Sequence, residues 1–174
     1  MKTIRGIGSQ GSGLYGRKID TTYLSKLQSV KAGTLDIGMA EADFKKTDQG
    51  NFGSGFLKHY VATFDWKNKK VWLEKNGGGK DEHASFGFSP EMKDGKMFVS
   101  YVYENSPASE NGLMLNDQII SVNGADYNTV SEETYCEMVR NLFLWKNTES
   151  INMIIRSGEK ERRVKLVARD LLNN

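Results

Sequence analysis

Three glycines near the amino terminus have the spacing of a phosphate-binding loop, since residues 6–11 read GIGSQG. Such a G-x-G-x-x-G loop holds a dinucleotide only where it follows a strand and opens a helix, whose first N–H groups bind the phosphates. Here only five residues precede the loop, β-like alternation follows it, and no Lys-Ser/Thr pair completes a P-loop. The pattern predicts a flexible β-turn or hairpin tip rather than a nucleotide site.

Two aspartates are candidates for acid–base chemistry, in Asp20-Thr21-Thr22 and in Leu35-Asp36-Ile37-Gly38. Peptide hydrolysis by paired carboxylates needs two aspartates roughly 3 Å apart that share one proton. Each would come from an Asp-Thr/Ser-Gly turn after an apolar strand, and neither sequence is that motif. Asp20 is most simply a solvated position of an alternating strand, so no catalytic residue is predicted.

Histidine and cysteine are too scarce for a metal cluster or an intrachain disulfide. The chain has two histidines, His59 and His83, and a single cysteine, Cys136. Neither a metal nor another cofactor is therefore expected. No Ser/His/Asp arrangement surrounds either histidine.

The composition of the 174 residues is that of an ordinary globular protein, with 38% hydrophobic and 26% charged residues. The net charge of +2 gives no electrostatic case for nucleic acid or a membrane surface. The basic run KNKK at 67–70 is accordingly predicted to be a solvated part of a hairpin. No run reaches the ~18–20 apolar residues that cross a bilayer.

The stretch NGGGKDEH at 76–83 is predicted to be a flexible linker, because three consecutive glycines cannot hold a packed element. It divides the chain into residues 1–75 and 84–174. The first part is predicted to be mostly β. It includes a hairpin of residues 61–66 and 70–75, with an aromatic face of Phe64, Trp66 and Trp72.

The second part alternates strands, turns and two helices. Strands are predicted around an Asp94-Gly95 turn, over residues 117–122, and in a closing hairpin of 151–156 and 163–168. Ser106 is predicted to cap a short helix that begins at Pro107. A longer amphipathic helix is predicted over residues 132–143, with Ser131 as its cap.

This order of elements resembles a PDZ domain over residues 84–169. The resemblance implies a PDZ-like β-barrel with one short and one long helix, and a groove that binds an extended peptide or a protein C-terminus. The loop Phe86-Gly87-Phe88 matches the family's pattern, in which backbone N–H groups converge on a terminal carboxylate. The implied peptide-binding residues are Phe86, Gly87, Phe88, Glu132, Cys136, Val139 and Leu142.

Two positions depart from the family pattern. Asn116-Asp117 replaces the usual Gly-Asp, but Asn also tolerates a positive φ, so the corner is expected to survive. Pro90 lacks an N–H on the edge that would face the peptide, because alternation places it on the same edge as Phe88. A weaker or shorter strand addition, or an internal rather than C-terminal peptide, is therefore expected.

Residues 5–24, RGIGSQGSGLYGRKIDTTYL, and 50–75, GNFGSGFLKHYVATFDWKNKKVWLEK, resemble the later part of a retropepsin-like aspartic peptidase domain. That resemblance implies a partial acid-protease-like β domain, whose short helix and closing hairpin follow a glycine-rich stretch. Fusion of such a domain to a PDZ module is a known bacterial arrangement. It also implies possible dimerisation through this segment and a periplasmic or envelope location, although residues 1–13 lack the apolar core of a signal peptide.

The sequence thus predicts a mainly β or α+β chain whose PDZ module binds peptides for an aspartic peptidase-like protein. One alternative is that the chain is part of an active endopeptidase with its Asp-Thr/Ser-Gly motif upstream. The other is a noncatalytic scaffold.

Overall fold

The computed structural model describes residues 2–9, 12–13, 16–46, 50–77, 84–140 and 148–173, and this part of the chain is mainly β. Its helices are α1 (Ser54–Leu57), α2 (Pro107–Glu110) and α3 (Glu132–Arg140). Its strands are β1 (Thr3–Gly8), β2 (Ser12–Gly13), β3 (Gly16–Arg17), β4 (Asp20–Ala32), β5 (Leu35–Phe44), β6 (Tyr60–Asp65), β7 (Lys70–Lys75), β8 (Ala84–Ser85), β9 (Phe88–Lys93), β10 (Lys96–Tyr103), β11 (Gln118–Val122), β12 (Ala125–Asp126), β13 (Ser150–Ser157), β14 (Lys160–Val167) and β15 (Arg169–Asp170).

The largest sheet has nine strands. Seven follow the order β14-β13-β11-β10-β1-β4-β5, while β12 pairs with β11 and β9 pairs with β10. Small two-stranded sheets are formed by β15 with β8, β2 with β3, and β6 with β7. The main core lies between the β9–β14 part of the large sheet and the helices α2 and α3. Its least exposed members are Met97, Val99, Ile119, Ile151 and Ile155.

The chain divides into two compact units, which differ from the predicted boundaries of 1–75, 76–83 and 84–174. Unit 1 comprises Met1–Lys26, Glu41–Lys45 and His83–Asn174, and unit 2 comprises Leu27–Ala40 and Lys46–Glu82. The reason is that β1 lies in register along β10, with Gly6 opposite Tyr103 and Gly8 opposite Tyr101. Most of the predicted linker, residues 78–83, lies outside the described residues.

The glycine-rich amino terminus was expected to form a turn, and for Gly6 and Gly8 this prediction is wrong. Both lie in β1, which pairs with β10 on one side and β4 on the other. A Cβ on Gly6 would overlap the ring of Tyr101, and one on Gly8 would overlap the backbone at Ser100. Close packing of strand backbones against β10 therefore accounts for these two glycines; Gly11 lies outside the described residues.

A second, smaller core joins the two ends of unit 1. Ile4 of β1 is 3% exposed and packs with Leu171 and Leu172, while Leu24 and Tyr103 cover them. The amino-terminal strand is thus buried by the carboxy-terminal residues. This packing makes residues 3–8 part of the same core structure as β10.

Unit 2 contains the short helix and the hairpin that the sequence predicted. The helix α1 spans Ser54–Leu57, and the rings of Phe56 and Tyr60 lie 4.8 Å apart. In the β6–β7 hairpin, Trp72 lies opposite Thr63, whereas Phe64 lies opposite Val71. Because directly opposed residues share a face, Trp72 lies on the other face from Phe64, and the predicted single aromatic face is wrong in this respect.

Turns and caps of unit 1 form where the sequence predicted them. Asp94 and Gly95 form a turn with φ angles of 50° and 69°. Asn116 has a φ of 69°, so the chain turns before Asp117 as expected, with asparagine in place of glycine. The hydroxyl of Ser106 accepts from the backbone of Ser109 in a complete capping box. The Ser131 hydroxyl accepts from the backbone N–H of Thr134 at 3.1 Å and caps α3.

Candidate functional site

The loop that opens β9 is held in one conformation by α2 and the residue before it. Gly87 has a φ of +81°, and a Cβ there would overlap the side chain of Ser106, so glycine alone fits. The carbonyl of Phe86 accepts from Ala108 N–H at 2.9 Å, and that of Gly87 accepts from Tyr103 N–H at 2.9 Å. The cap of the short helix thereby fixes the position of the loop backbone.

One of the loop's N–H groups already has a partner. Gly87 N–H donates to the hydroxyl oxygen of Ser85 at 3.0 Å. Binding of a ligand carboxylate at this N–H therefore requires the Ser85 hydroxyl to be displaced or shared. Because the Ser85 hydroxyl already accepts a hydrogen bond from the Gly87 N–H, a peptide with a free C-terminus gains less binding free energy at this N–H.

The strand β9 pairs on one side only, with β10, among the described strands. Pro90 lies opposite Val99 on β10. The Val99 N–H donates to the backbone carbonyl of Asp117 at 2.8 Å, and the Val99 carbonyl accepts from the backbone N–H of Asn116 at 2.9 Å. Both backbone groups of Val99 therefore point away from β9. Pro90 and Val99 are therefore a non-hydrogen-bonded pair. By alternation, the backbone groups of residues 88, 90 and 92 face the unpaired edge.

This edge is interrupted at its centre. Phe88 and Met92 each direct an N–H and a carbonyl outward, whereas Pro90 directs only a carbonyl. Proline is tolerated here because the N–H that it lacks would not have bonded to β10. A peptide added to β9 as an antiparallel strand would find two complete anchor positions separated by an incomplete one.

The helix α3 begins close to the far end of β9. Val130, just before the helix, donates its N–H to the carbonyl of Gly95 in the β9–β10 turn at 2.7 Å. Along the helix, Met138 is buried and Tyr135 packs against the main core. An adjacent face of the helix is formed by the residues at i, i+4 and i+7, which are Glu132, Cys136 and Val139. All three are exposed.

The implied site residues differ in their surroundings. Phe86 is 6% exposed and is a core residue, while Phe88 is partly buried against the same core. Of the helix residues, Glu132, Cys136 and Val139 are open to solvent, and the Cys136 thiol is free. Leu142 lies outside the described residues. The peptide-binding role of these seven positions stays a prediction.

An ion pair that has no counterpart among the sequence predictions supports β9 from the face opposite the core. Arg17 of β3 places its Nε 2.9 Å from the Oε2 of Glu91, and both side chains are largely buried. Phe88 and Met92 pack against the core, so Glu91, which alternates with them, lies on the other face. Nothing in the local sequence around Arg17 signals this long-range contact.

The two candidate aspartates have structural partners. Asp20 forms an ion pair with Lys18 at 3.1 Å, and this hydrogen bond, more than the one from Thr21 N–H, lowers the pKa of Asp20. Asp36 accepts from Gly38 N–H at 2.9 Å. Within the described ranges, no three His, Cys, Asp or Glu residues are grouped so that they could hold a metal. Likewise, no described helix is long and apolar enough to span a bilayer.

Comparison with known proteins identifies one domain type. Residues 79–142 match the PDZ domain model. Syntenin-1 of Mus musculus is 33% identical over 85 residues, which make up 49% of this chain and 27% of the mouse protein. An HtrA-type protease solved with a decapeptide aligns with a TM-score of 0.39 at 11% identity, over 95% of this chain and 58% of that one. The chain thus spans about a quarter of the length of the curated relative.

Proposed function

Because the chain contains a PDZ domain, we propose that it binds an extended polypeptide as an added antiparallel strand along β9, in the groove bordered by α3. The observation that carries this proposal is the outward edge of β9, where Phe88 and Met92 direct backbone donors and acceptors that pair with no other strand in the described part of the chain. Strand addition uses these groups for affinity, and side-chain pockets beside them for selectivity. On α3, the exposed residues Cys136 and Val139 would contact the ligand's side chains.

The ligand is expected to make a shorter contact than an uninterrupted edge would allow. Pro90 withholds the central N–H, and Ser85 already accepts the bond from Gly87 N–H. Each missing hydrogen bond weakens peptide binding by about 1 kcal/mol. The Ser85 hydrogen bond favours an internal extended segment, which needs no carboxylate site, over a free C-terminus, whereas the loss at Pro90 affects both kinds of ligand.

The test is a binding screen of the full chain against fluorescent peptide libraries, one with free C-termini and one with internal segments. Val139→Glu is expected to abolish binding, because it introduces a charge on the exposed face of α3. Val167→Glu is the matched control, since Val167 is a 58% exposed valine of the same unit on β14. Equal loss in both variants, or no ligand from either library, contradicts the proposal.

We also propose that the PDZ domain recruits polypeptides for an aspartic peptidase-like protein, on the strength of the resemblance of residues 1–75. The support is that α1 and the β6–β7 hairpin form in the order that the resemblance implies. The pairing of β1 with β10 favours the scaffold alternative instead, since it uses residues 3–8 to extend the binding domain. Pepstatin-sensitive cleavage of peptides by the full-length protein decides between the two.

A further inference from the structure

The β6–β7 hairpin, residues 60–75 and called here the aromatic hairpin, exposes large apolar side chains on both of its faces. Trp66 is 82% exposed at the tip. Phe64 and Val71 lie on one face and Val61 and Trp72 on the other, and each of the four is about half exposed. An exposed apolar surface of this kind marks an interaction site.

The tip of the aromatic hairpin is preorganised. Asp65 accepts hydrogen bonds from the backbone N–H of Asn68 at 2.9 Å and from its side-chain amide at 2.6 Å. The rings of Phe64 and Trp66 are stacked, with centroids 5.3 Å apart and planes inclined by 10°. The turn and the stacking together restrict the position of the indole, which stays 82% exposed.

Positive charge is concentrated at the same place. Residues 60–75 contain four lysines and two acids, an excess of two positive charges, which equals the net charge of the whole chain. The remaining residues therefore carry no net charge. Of the two acids, Asp65 stays ionised, because the side-chain hydrogen bond from Asn68 lowers its pKa, so that excess already includes its negative charge. The near-neutral charge of the whole chain conceals this local excess.

We infer that the aromatic hairpin binds the surface of an anionic lipid bilayer, an interaction beyond the peptide binding proposed above. Tryptophan and phenylalanine side chains are favoured at the boundary between headgroups and acyl chains. Lysines beside them are attracted by the negative surface potential of anionic lipids. A second copy of this hairpin is the less favoured occupant, because pairing two such tips would place like charges together.

The first experiment measures co-sedimentation of the full chain with phosphatidylcholine vesicles and with equimolar phosphatidylcholine–phosphatidylglycerol vesicles. Binding to the anionic vesicles alone is expected, with a blue shift of tryptophan emission and loss of binding at high salt. Absence of binding to anionic vesicles overturns the inference. Equal binding to both compositions, or binding that salt does not weaken, overturns it as well.

Two variants locate the contact. Trp66→Ala, and separately Lys67→Glu with Lys69→Glu, are each expected to weaken partition into anionic vesicles by about tenfold or more. The matched controls are Met114→Ala, at a 60% exposed apolar residue of unit 1, and Lys160→Glu with Lys165→Glu on β14. Both controls are expected to bind as the unmodified chain does, and equal losses in them would contradict the inference.

Sedimentation velocity without lipid separates this inference from self-association. A concentration-dependent dimer that Trp66→Ala abolishes, together with no binding to vesicles, would assign the aromatic hairpin to a second copy and overturn the lipid assignment. The peptide screen on the same variants is expected to be unaffected. Failure of the vesicle experiment therefore leaves the proposed peptide binding standing, and the reverse also holds.

Discussion

The phenol ring of Tyr101 lies so close to Gly6 of the neighbouring strand that a Cβ on residue 6 would overlap it. The ring is fully buried, and its hydroxyl forms a hydrogen bond with the hydroxyl of Thr22 on β4. Tyr101 therefore extends from β10 across β1 to β4. One side chain links three strands whose residues lie far apart in sequence.

Gly6→Ala is expected to destabilise unit 1 by about 1–3 kcal/mol, because the added methyl group must displace a buried ring. Urea unfolding followed by circular dichroism measures the change. The control is a double-mutant cycle with Tyr101→Ala, in which the Gly6→Ala cost should fall sharply once the ring is absent. Additive costs in that cycle would mean that the ring is not the source of the strain.

Ile4→Ala and Leu166→Ala are each expected to lower the free energy of unfolding by about 2–5 kcal/mol. Both variants are expected to shift the same unfolding transition. Ile4 packs with Leu171 and Leu172, and Leu166 lies in the main core of the same compact unit. Differential scanning calorimetry shows which transition each variant shifts. If Ile4→Ala shifts a transition that Leu166→Ala leaves unchanged, residues 3–8 belong to a separate folding unit, as the predicted boundary at residue 75 implied.

Local backbone chemistry explains why much of the fold around β9 could be predicted. The Asp94-Gly95 turn and the Asn116 corner need positive φ angles, which few residue types tolerate. The caps at Ser106 and Ser131 depend on residues three positions away. All of these signals lie within a few residues of the element that they define.

Long-range pairing explains what could not be predicted. Alternation along residues 3–8 is compatible with a strand but does not identify the strand with which it pairs, so the sequence alone predicts a turn for the glycines of β1. The same limit applies to the candidate site, where Gly87 and Pro90 were recognisable by type. The Ser85 hydrogen bond and the Arg17–Glu91 ion pair depend on the folded arrangement of the loop and sheet.

Unit 1 is expected to lose stability at alkaline pH through Tyr103 and Tyr101. Burial, and then the nearby Asp43 carboxylate, raise the pKa of Tyr103 well above its ordinary value, and burial raises the pKa of Tyr101. A tyrosine whose pKa is higher in the folded than in the unfolded state contributes its full stabilisation at pH values below the unfolded pKa of about 10. This contribution is lost as the pH rises above that value, because only the unfolded state then releases the proton.

The measurement is the urea midpoint as a function of pH, with tyrosinate absorbance recorded in parallel. The midpoint is expected to fall above a pH of about 10, and Tyr103→Phe should reduce that dependence. Tyr23→Phe is the control at an exposed tyrosine and should leave the dependence unchanged. Full ionisation of all tyrosines before unfolding would contradict the prediction.

Pro90→Ala is expected to increase peptide affinity by about five- to tenfold, since it restores an N–H on the outward edge of β9 and one hydrogen bond contributes about 1 kcal/mol. Fluorescence polarisation with the best peptide from the screen measures the change. Pro107→Ala, at the other proline of the chain, supplies no donor to β9 and should leave the affinity unchanged. Unchanged affinity in Pro90→Ala would mean that the ligand does not pair with β9 at this position.

Ser85→Ala is expected to favour peptides with a free C-terminus, because it releases the Gly87 N–H from its 3.0 Å hydrogen bond to the seryl hydroxyl. An N–H bond to a charged carboxylate is stronger than one to a hydroxyl, so the affinity ratio of the free acid to the amidated form of one peptide should rise about tenfold. Ser121→Ala on β11 is the control and should leave that ratio unchanged. A ratio that stays constant in Ser85→Ala would show that the ligand places no carboxylate at Gly87. Such a result would identify an internal segment as the ligand of the β9 groove.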